Sequence, residues 1–309
     1  MPQCVALACS YPTFHSEIAN KKEYSPKMKR GKQSKNSSNA NEDRQKKSRL
    51  EEFSNFRWIL KLGFARRSSL VLTRSHRTSK NLQKEVSDIG CFAELAHNFF
   101  DVRMIWGHLD SLLRCHFPLE HYQGLRGSQL LSIIHGAERT RAIISRVPDK
   151  KQIILAFAGT AYIEQALYNL DIRKTKHISI CRGQEGSDVL GNVHRGFWKL
   201  YLGIRSYAFG ALETSLRESS SIEEIVITGH SLGAALACYF VLDLIDILVQ
   251  TASSVDKQVF TIKYVGFGSP RVGDEGFSKK YAIYVDKYRT RFGESNFIDL
   301  SVRNHNDGK

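Results

Sequence analysis

C-x-x-C cysteine motifs, long apolar runs and internal repeats are all missing from this 309-residue sequence. The six cysteines form no C-x-x-C pair and share no Cys/His ligand spacing, so the sequence predicts no metal site. The nearest approach to an 18-residue apolar run, Leu232 to Gln250, contains Asp243 and Asp246, so we expect no membrane-spanning segment. Met1 to Ser10 lack a basic n-region and a long apolar stretch, so no signal peptide is predicted and localisation stays open.

The composition is that of a globular chain. Hydrophobic residues make up 42% and charged residues 25%, which excludes collagen-like, coiled-coil and wholly disordered proteins. A chain of this length can bury a large core without the help of disulfides. We therefore expect one large domain, or one domain with an arm.

Positive charge is concentrated on the N-terminal side. The net charge is +14, and residues 1–80 hold 18 of the 45 Lys and Arg residues but 6 of the 31 Asp and Glu residues. This composition predicts a disordered basic arm over 1–80. Within the arm, Phe53–Thr73 could form an amphipathic helix that lies at a membrane surface, or a helix that packs on the globular domain. The domain predicted over 86–309 is nearly neutral, so no specific nucleic-acid partner is expected. Binding of nucleic acid or an anionic membrane by the arm is a weaker alternative, because it depends on charge alone.

Strand and helix signals alternate along the predicted domain. A turn at Pro148–Lys151 joins the first two strands into a hairpin. The alternation predicts an α/β fold with a mostly parallel central sheet and helices on both faces. The predicted helices cover 91–100, Gly196–Glu218 and Ala234–Val249, and the predicted strands cover Arg141–Val147, Ile153–Phe157, Glu224–Thr228, Phe260–Phe267 and Asn296–Arg303.

One motif carries a chemical signal. Gly229-His230-Ser231-Leu232-Gly233 has the pattern G-x-S-x-G, with a predicted strand before it and a predicted helix after it. The glycines allow a sharp turn that presents a serine at a helix N-terminus, where N–H groups and the helix dipole favour developing negative charge. A glycine-rich turn with a capping serine is the plainer alternative, but the strand and helix on either side favour a nucleophile.

Three more motifs accompany this elbow, which extends over Val226–Ala237. They are Leu155–Thr160, Val193–Phe197 and Gly268–Asp274. In this order, the four resemble the motifs of the class 3 lipase family, of the fungal triacylglycerol lipase type. The corresponding family motifs are an F-R-G-T/S oxyanion strand, a V-H-x-G-F helix start, the elbow and a G-x-P-R-V-G turn. The resemblance covers about residues 88–309 and implies an α/β-hydrolase fold.

The resemblance implies roles for individual residues. Ser231 would attack an ester carbonyl, and the backbone N–H of Leu232 with the N–H and hydroxyl of Thr160 would form the oxyanion hole. Ala161–Leu170 matches the position of the family's lid, although its apolar stripe also fits a plain amphipathic surface helix.

The family order also implies an acid beyond the G-x-P-R-V-G turn. Asp307 follows the last predicted strand and matches the family's R-x-x-N-x-x-D imperfectly, so it is the predicted acid, with a solvated terminal aspartate as the alternative. Asp274, in the turn, and Asp299, in the strand, are poorer alternatives.

The sequence departs from the family where the base should be. The family's histidine lies some tens of residues after the acid, and this chain has no histidine after Asp307. His305 is too close to Asp307, His194 belongs to the helix-start motif, and His230 should point away from the adjacent serine. Ala158 also replaces the arginine of the oxyanion strand. We therefore expect an α/β-hydrolase domain that lacks its C-terminal part.

The expected function is hydrolysis of lipid esters of the acylglycerol type through a serine acyl-enzyme, without a cofactor. The alternative is a catalytically inactive or truncated relative that only binds lipid, since the general base is required in both steps. The expected partner is a lipid ester, with contact to a membrane or lipid-droplet surface. Acyl chain, head group, acyl acceptor and oligomeric state stay open.

Overall fold

The structure is a computed structural model, and several parts of the chain lie outside its described residues. Among them are the predicted arm up to residue 77, the predicted lid at 161–170 and the predicted acid Asp307. The described residues are 78–97, 101–114, 121–160, 171–178, 180, 191–219, 221–251 and 259–302.

A six-stranded sheet forms the centre of the described chain. Its strands, in sheet order, are β1 (Gln129–His135), β2 (Arg141–Val147), β3 (Gln152–Phe157), β6 (Glu224–His230), β7 (Thr261–Phe267) and β8 (Phe297–Val302); a separate antiparallel pair is made by β4 (Lys174–Lys176) and β5 (Asn192–His194). The pairs β1–β2 and β2–β3 are antiparallel, and β3, β6, β7 and β8 run parallel. The predicted mostly parallel sheet is therefore confirmed.

Six described helices surround the sheet. They are α1 (Lys80–His97), α2 (Val102–Gly107), α3 (Leu109–Arg114), α4 (Arg195–Glu218), α5 (Leu232–Thr251) and α6 (Glu275–Phe292). Helix α1 begins ahead of Val86, the expected start of the domain, while the domain boundary itself stays a prediction. Strands β1, β4 and β5 and helices α2, α3 and α6 were not predicted from the sequence. The predicted helices and strands agree with the described elements to within a few residues, except that α1 starts well ahead of the predicted helix.

The predicted hairpin is formed by β2 and β3. A short turn over Pro148–Lys150 connects them, and Lys151 closes it in the left-handed region with φ of 49°. Ala142 pairs with Phe157 across the two strands. Every residue of β3 is buried, as expected for a strand covered on both faces.

Helices cover both faces of the sheet, and β3 shows how its side chains divide between them. Ile153, Leu155 and Phe157 belong to a cluster with side chains of α4, α5 and α6. Ile154 and Ala156 belong to a second cluster with side chains of α1, α2 and α3. Since alternate residues of a strand point to opposite faces, the sheet separates two apolar layers.

Helix α5 is the most apolar element. By length and composition it could cross a membrane, with a mean hydropathy of 2.1, but 89% of that window is buried inside the fold. Such burial is what a core helix shows. Its two acidic residues have internal partners: Tyr201 donates to Asp243 and Gln250 donates to Asp246. Cys238 is buried in the same helix, as predicted.

Candidate active site

The G-x-S-x-G segment joins β6 to α5 through a turn that needs both of its glycines. A Cβ on Gly229 would lie 2.4 Å from the carbonyl carbon of Gly233, and a Cβ on Gly233 would lie 2.2 Å from the carbonyl oxygen of Phe157. Ser231, between them, has φ of 54°, a left-handed conformation that is uncommon outside glycine. The predicted strand, sharp turn and helix are therefore all present.

Backbone hydrogen bonds hold Ser231 in this turn. Its N–H donates to the carbonyl oxygen of Phe267 on β7 at 2.9 Å, and its own carbonyl accepts from Ala234 at 3.0 Å. Leu232 is the first residue of α5, so its N–H belongs to the group without an intrahelical partner. The positive end of the helix dipole thus lies next to the serine.

Parallel pairing of β3 with β6 brings the predicted oxyanion strand to this turn. Phe157 is in register with Gly229, so the two strands end side by side. Gly159, beyond β3, passes so close that a Cβ there would lie 2.9 Å from the carbonyl oxygen of His230. Thr160 and Ser231 therefore follow adjacent strand ends at one edge of the sheet.

The predicted acid, Asp307, lies outside the described residues. Strand β8 ends at Val302, paired with Phe267, so it reaches the same edge as the serine turn. Asp299 is three residues earlier, roughly 10 Å back along the strand at roughly 3.3 Å per residue.

The other alternative acid, Asp274, is the N-cap of α6. Its carboxylate accepts from the N–H of Phe277 at 3.0 Å and from the side chain of Asn192 at 2.8 Å. Burial raises the pKa of Asp274, but these hydrogen bonds lower it more. The carboxylate is thus engaged in joining α6 to β5.

Described histidines near the turn have different surroundings. His194 is the N-cap of α4: its Nδ1 accepts from the N–H of Phe197 at 3.3 Å, and its ring stacks on that phenylalanine. His230 is exposed, and its ring lies edge-on to His97 with centroids 6.5 Å apart. His97, at the end of α1, faces Gly159, since a Cβ there would lie 2.9 Å from its Nδ1.

A cavity of about 600 Å³ opens beside the turn, between α1 and the ends of β6 and β7. Among the described residues, no group of three or more His, Cys, Asp or Glu could hold a metal ion. The cavity lining combines apolar, hydroxyl, thiol, carboxylate and imidazole groups from Ser87, Gly90, Cys91, Ala93, Glu94, His97, His121, Tyr122, His230 and Phe267.

A second group of ionisable side chains lies buried on the face of the sheet covered by α4, α5 and α6. His177 and Asp243 are each 1% exposed, and His177 Nε2 lies 3.9 Å from Asp243 Oδ1. Burial, with Lys280 and Arg205 nearby, lowers the pKa of His177 to about 3. Burial also raises the pKa of Asp243 to about 6, against the effects of Tyr201 and Arg205.

Comparison with known proteins identifies the domain. Residues 154–306 match the profile of the family Lipase (class 3). Residues 154–306 belong to the class 3 lipase family. At the level of that family, the match supports lipid ester hydrolysis. The suspected family and the α/β-hydrolase type of fold are both confirmed.

Individual relatives of this class 3 lipase domain include plant and fungal enzymes. The chain is 31% identical over 146 residues to phospholipase A(1) DAD1, chloroplastic, of Arabidopsis thaliana, covering 44% of this chain and 30% of the relative. It is 24% identical over 159 residues to a lipase of Rhizomucor miehei, covering 52% of this chain and 40% of the relative. The chain thus spans about a third of the length of the curated relatives it matches.

Among solved structures, the class 3 lipase domain is similar to a fungal lipase in an inhibitor complex. The TM-score is 0.51 and the identity 19%, over 75% of this chain and 74% of that one. This likeness concerns the fold.

Sequence motifs did not indicate His97 or Arg141, which the structure brings to the oxyanion strand from α1 and β2, because no local pattern marks either residue.

Proposed function

We propose that this chain hydrolyses carboxylic esters of lipids, with Ser231 as the nucleophile that becomes acylated. The observation that carries the proposal is the left-handed turn of Ser231 between β6 and the N-terminus of α5, beside the end of β3. A serine placed in this way can attack an ester carbonyl, and water then releases the acyl group.

The oxyanion hole in this proposal has two sources. The N–H of Leu232 begins α5, and the N–H and hydroxyl of Thr160 follow β3. Two or three donors directed at the tetrahedral oxygen are what acyl transfer requires. The close approach of Gly159 to His230 supports the assignment, since it brings the two segments into contact.

Asp307 is the acid in this proposal. It follows β8 by five residues, and β8 ends at the same edge of the sheet as β6. In this fold the base follows the acid along the chain. The 309-residue chain has no histidine after Asp307, so we expect slow turnover from it. Loss of one triad member leaves about 10³–10⁴-fold acceleration over water.

Lipid binding without hydrolysis is the second candidate function, and exposed apolar side chains favour it. Ile172 and Ile178, on either side of β4, are 57% and 42% exposed, so they offer apolar contacts to a lipid surface. Contact with a membrane or lipid droplet belongs to both candidates.

Both an acylglycerol and a phospholipid are candidate substrates. The relatives in question are called a lipase and a phospholipase A(1). The motifs of the elbow and the oxyanion strand concern the ester carbonyl of the substrate. They do not determine which head group the substrate carries.

The test measures hydrolysis by the purified 309-residue chain of p-nitrophenyl butyrate, a triacylglycerol emulsion and phosphatidylcholine vesicles. We expect slow release of acid that falls in Ser231→Ala without vanishing, because the oxyanion hole and substrate binding still accelerate the reaction. An equal rate in Ser231→Ala would show that hydrolysis by this chain does not pass through an acylated Ser231. Co-sedimentation with vesicles, unchanged in Ser231→Ala and without any hydrolysis, would favour the lipid-binding candidate.

A further inference from the structure

The side chain of Arg141 connects the end of α1 with the end of β3. Its Nε and Nη2 donate to the carbonyl oxygen of Ala96 at 3.0 and 2.5 Å. Its backbone carbonyl accepts from the N–H of Ala158 at 2.9 Å. Carbonyls in the last turn of a helix have no intrahelical partner, so the guanidinium satisfies one that would otherwise be unpaired.

Strand register places Arg141 directly opposite Ala158. Ala142 pairs with Phe157, so the next antiparallel pair joins residues 141 and 158. Side chains directly opposite each other in an antiparallel pair lie on the same face, with Cβ atoms roughly 5 Å apart. That face is the one covered by α1, because Ile143 and Ala156 pack in the cluster with that helix.

The next residue of α1 carries this connection to the oxyanion strand. His97 follows Ala96 and packs closely against Gly159. If Gly159 carried a Cβ, that atom would lie 2.9 Å from His97 Nδ1. This Nδ1 is buried and has no hydrogen-bond partner within the part of the chain that the structure describes. Packing against the ring of His97, rather than a hydrogen bond from it, therefore limits the movement of Gly159 and of Thr160 after it.

We propose that Arg141 is a positioning residue for the oxyanion strand. In this proposal Arg141, on the neighbouring strand, takes the place of the arginine that the family motif carries where this chain has Ala158. The proposal rests on the proposed function, because Thr160 matters only if Ser231 reacts. Through Ala96 and His97 the guanidinium holds α1 against Gly159. The bond from Ala158 to the backbone carbonyl of residue 141 ties the same strand end to β2 and does not depend on the side chain.

Positioning of this kind has a large effect on rate. A donor in an oxyanion hole acts at roughly 2.7–3.1 Å from the developing charge. A misplacement of about 1 Å can reduce a rate about 10²-fold. Loosening the junction should therefore reduce the rate of the chemical step more than it weakens substrate binding.

The experiment compares Arg141→Ala, Arg141→Lys and the double variant Arg141→Ala/Ala158→Arg with the unmodified 309-residue chain. Ester hydrolysis on p-nitrophenyl butyrate gives kcat and KM, and amide hydrogen exchange is measured in peptides that cover 92–97 and 155–160. Arg217→Ala is the matched control, because Arg217 is an exposed arginine paired with Glu213 on α4, far along the chain from the junction.

We expect Arg141→Ala to lower kcat at least tenfold with little change in KM, and to accelerate exchange in both peptides. Arg141→Lys should recover part of each effect, since an ammonium can donate to Ala96 but not as a fork. The double variant should recover most of both, because an arginine at 158 starts from the same face and strand position.

Unchanged exchange at 155–160 in Arg141→Ala, or no recovery in a folded double variant, would overturn the proposal. Exchange answers the question even if no variant hydrolyses esters. In that case the proposed function fails, and the exchange and rescue results still decide whether Arg141 positions the strand.

Discussion

The buried pair of His177 and Asp243 gives a prediction that can be worked out in detail. Three helices supply the groups around it: Lys280 from α6, Tyr201 and Arg205 from α4, and Asp243 with Asp246 from α5. Lys280 Nζ lies 3.2 Å from His177 Nδ1, and the Tyr201 hydroxyl donates to Asp243 at 2.6 Å. The perturbation is Asp243→Asn, which keeps a hydrogen-bond acceptor and removes the titration.

The two pKa shifts have opposite effects on stability. The pKa of His177 is about 3 in the fold against 6.5 ordinarily, so between these values the unfolded chain binds the extra proton. Acidification therefore destabilises the fold through His177, by about 5 kcal/mol in all. The pKa of Asp243 is about 6 against 3.8 ordinarily, so acidification through this window stabilises the fold by about 3 kcal/mol.

Between pH 6 and 4 the two effects nearly cancel in the unmodified chain. In Asp243→Asn the contribution of His177 is no longer opposed. We expect the variant to lose about 3 kcal/mol more free energy of unfolding than the parent over this range. His177→Gln should behave in the opposite way, gaining stability relative to the parent as the pH falls from 6 to 4.

Urea unfolding followed by circular dichroism at pH 4, 5, 6 and 7 measures these differences. Other titrating groups are common to both proteins, so the difference between the curves isolates the pair. Asp286→Asn, at an exposed position of α6, is the control and should run parallel to the parent. Parallel curves for Asp243→Asn and the parent would refute the reasoning.

Three further predictions concern other parts of the chain. Gly233→Ala should abolish Ser231-dependent hydrolysis or unfold the domain, because the new Cβ would lie 2.2 Å from the carbonyl oxygen of Phe157. In the control Gly210→Ala the new Cβ meets nothing within 4 Å, so thermal unfolding should show a neutral effect or a stabilisation of about 1 kcal/mol. Thr160→Val should lower kcat about 10²–10³-fold, the effect of one lost oxyanion donor; an unchanged kcat would remove the hydroxyl from the mechanism. Deleting residues 1–77 should change the free energy of unfolding by about 1 kcal/mol or less, and failure to fold would show that part of 1–77 belongs to the core.

Local signals explain why much of the site could be predicted from the sequence. The elbow is a β-branched run, two glycines around a serine, and an apolar helix, all within Glu224–Thr251. The hairpin of β2 and β3 depends on a proline-containing turn between two apolar runs. Such features are decided by neighbours within a few residues, so a pattern in the chain is enough to find them.

Helix α6 shows where local signals were too weak. Its buried apolar residues, Phe277, Val285 and Tyr288, stand among many charged side chains, so its apolar stripe is narrow. The N-cap Asp274 was instead weighed as an acid candidate. Its contacts with Asn192, 82 positions earlier, could be known only from the fold.

What the sequence determined by itself is therefore the class of fold, the family and the segments that meet at Ser231. The tertiary structure alone decided which side chains complete those segments. Arg141 reaches Ala96 across 45 positions, and Tyr201 reaches Asp243 across 42. The physical reason is that a buried polar group must find a partner wherever packing places one, and packing depends on the whole chain rather than on its neighbours in sequence.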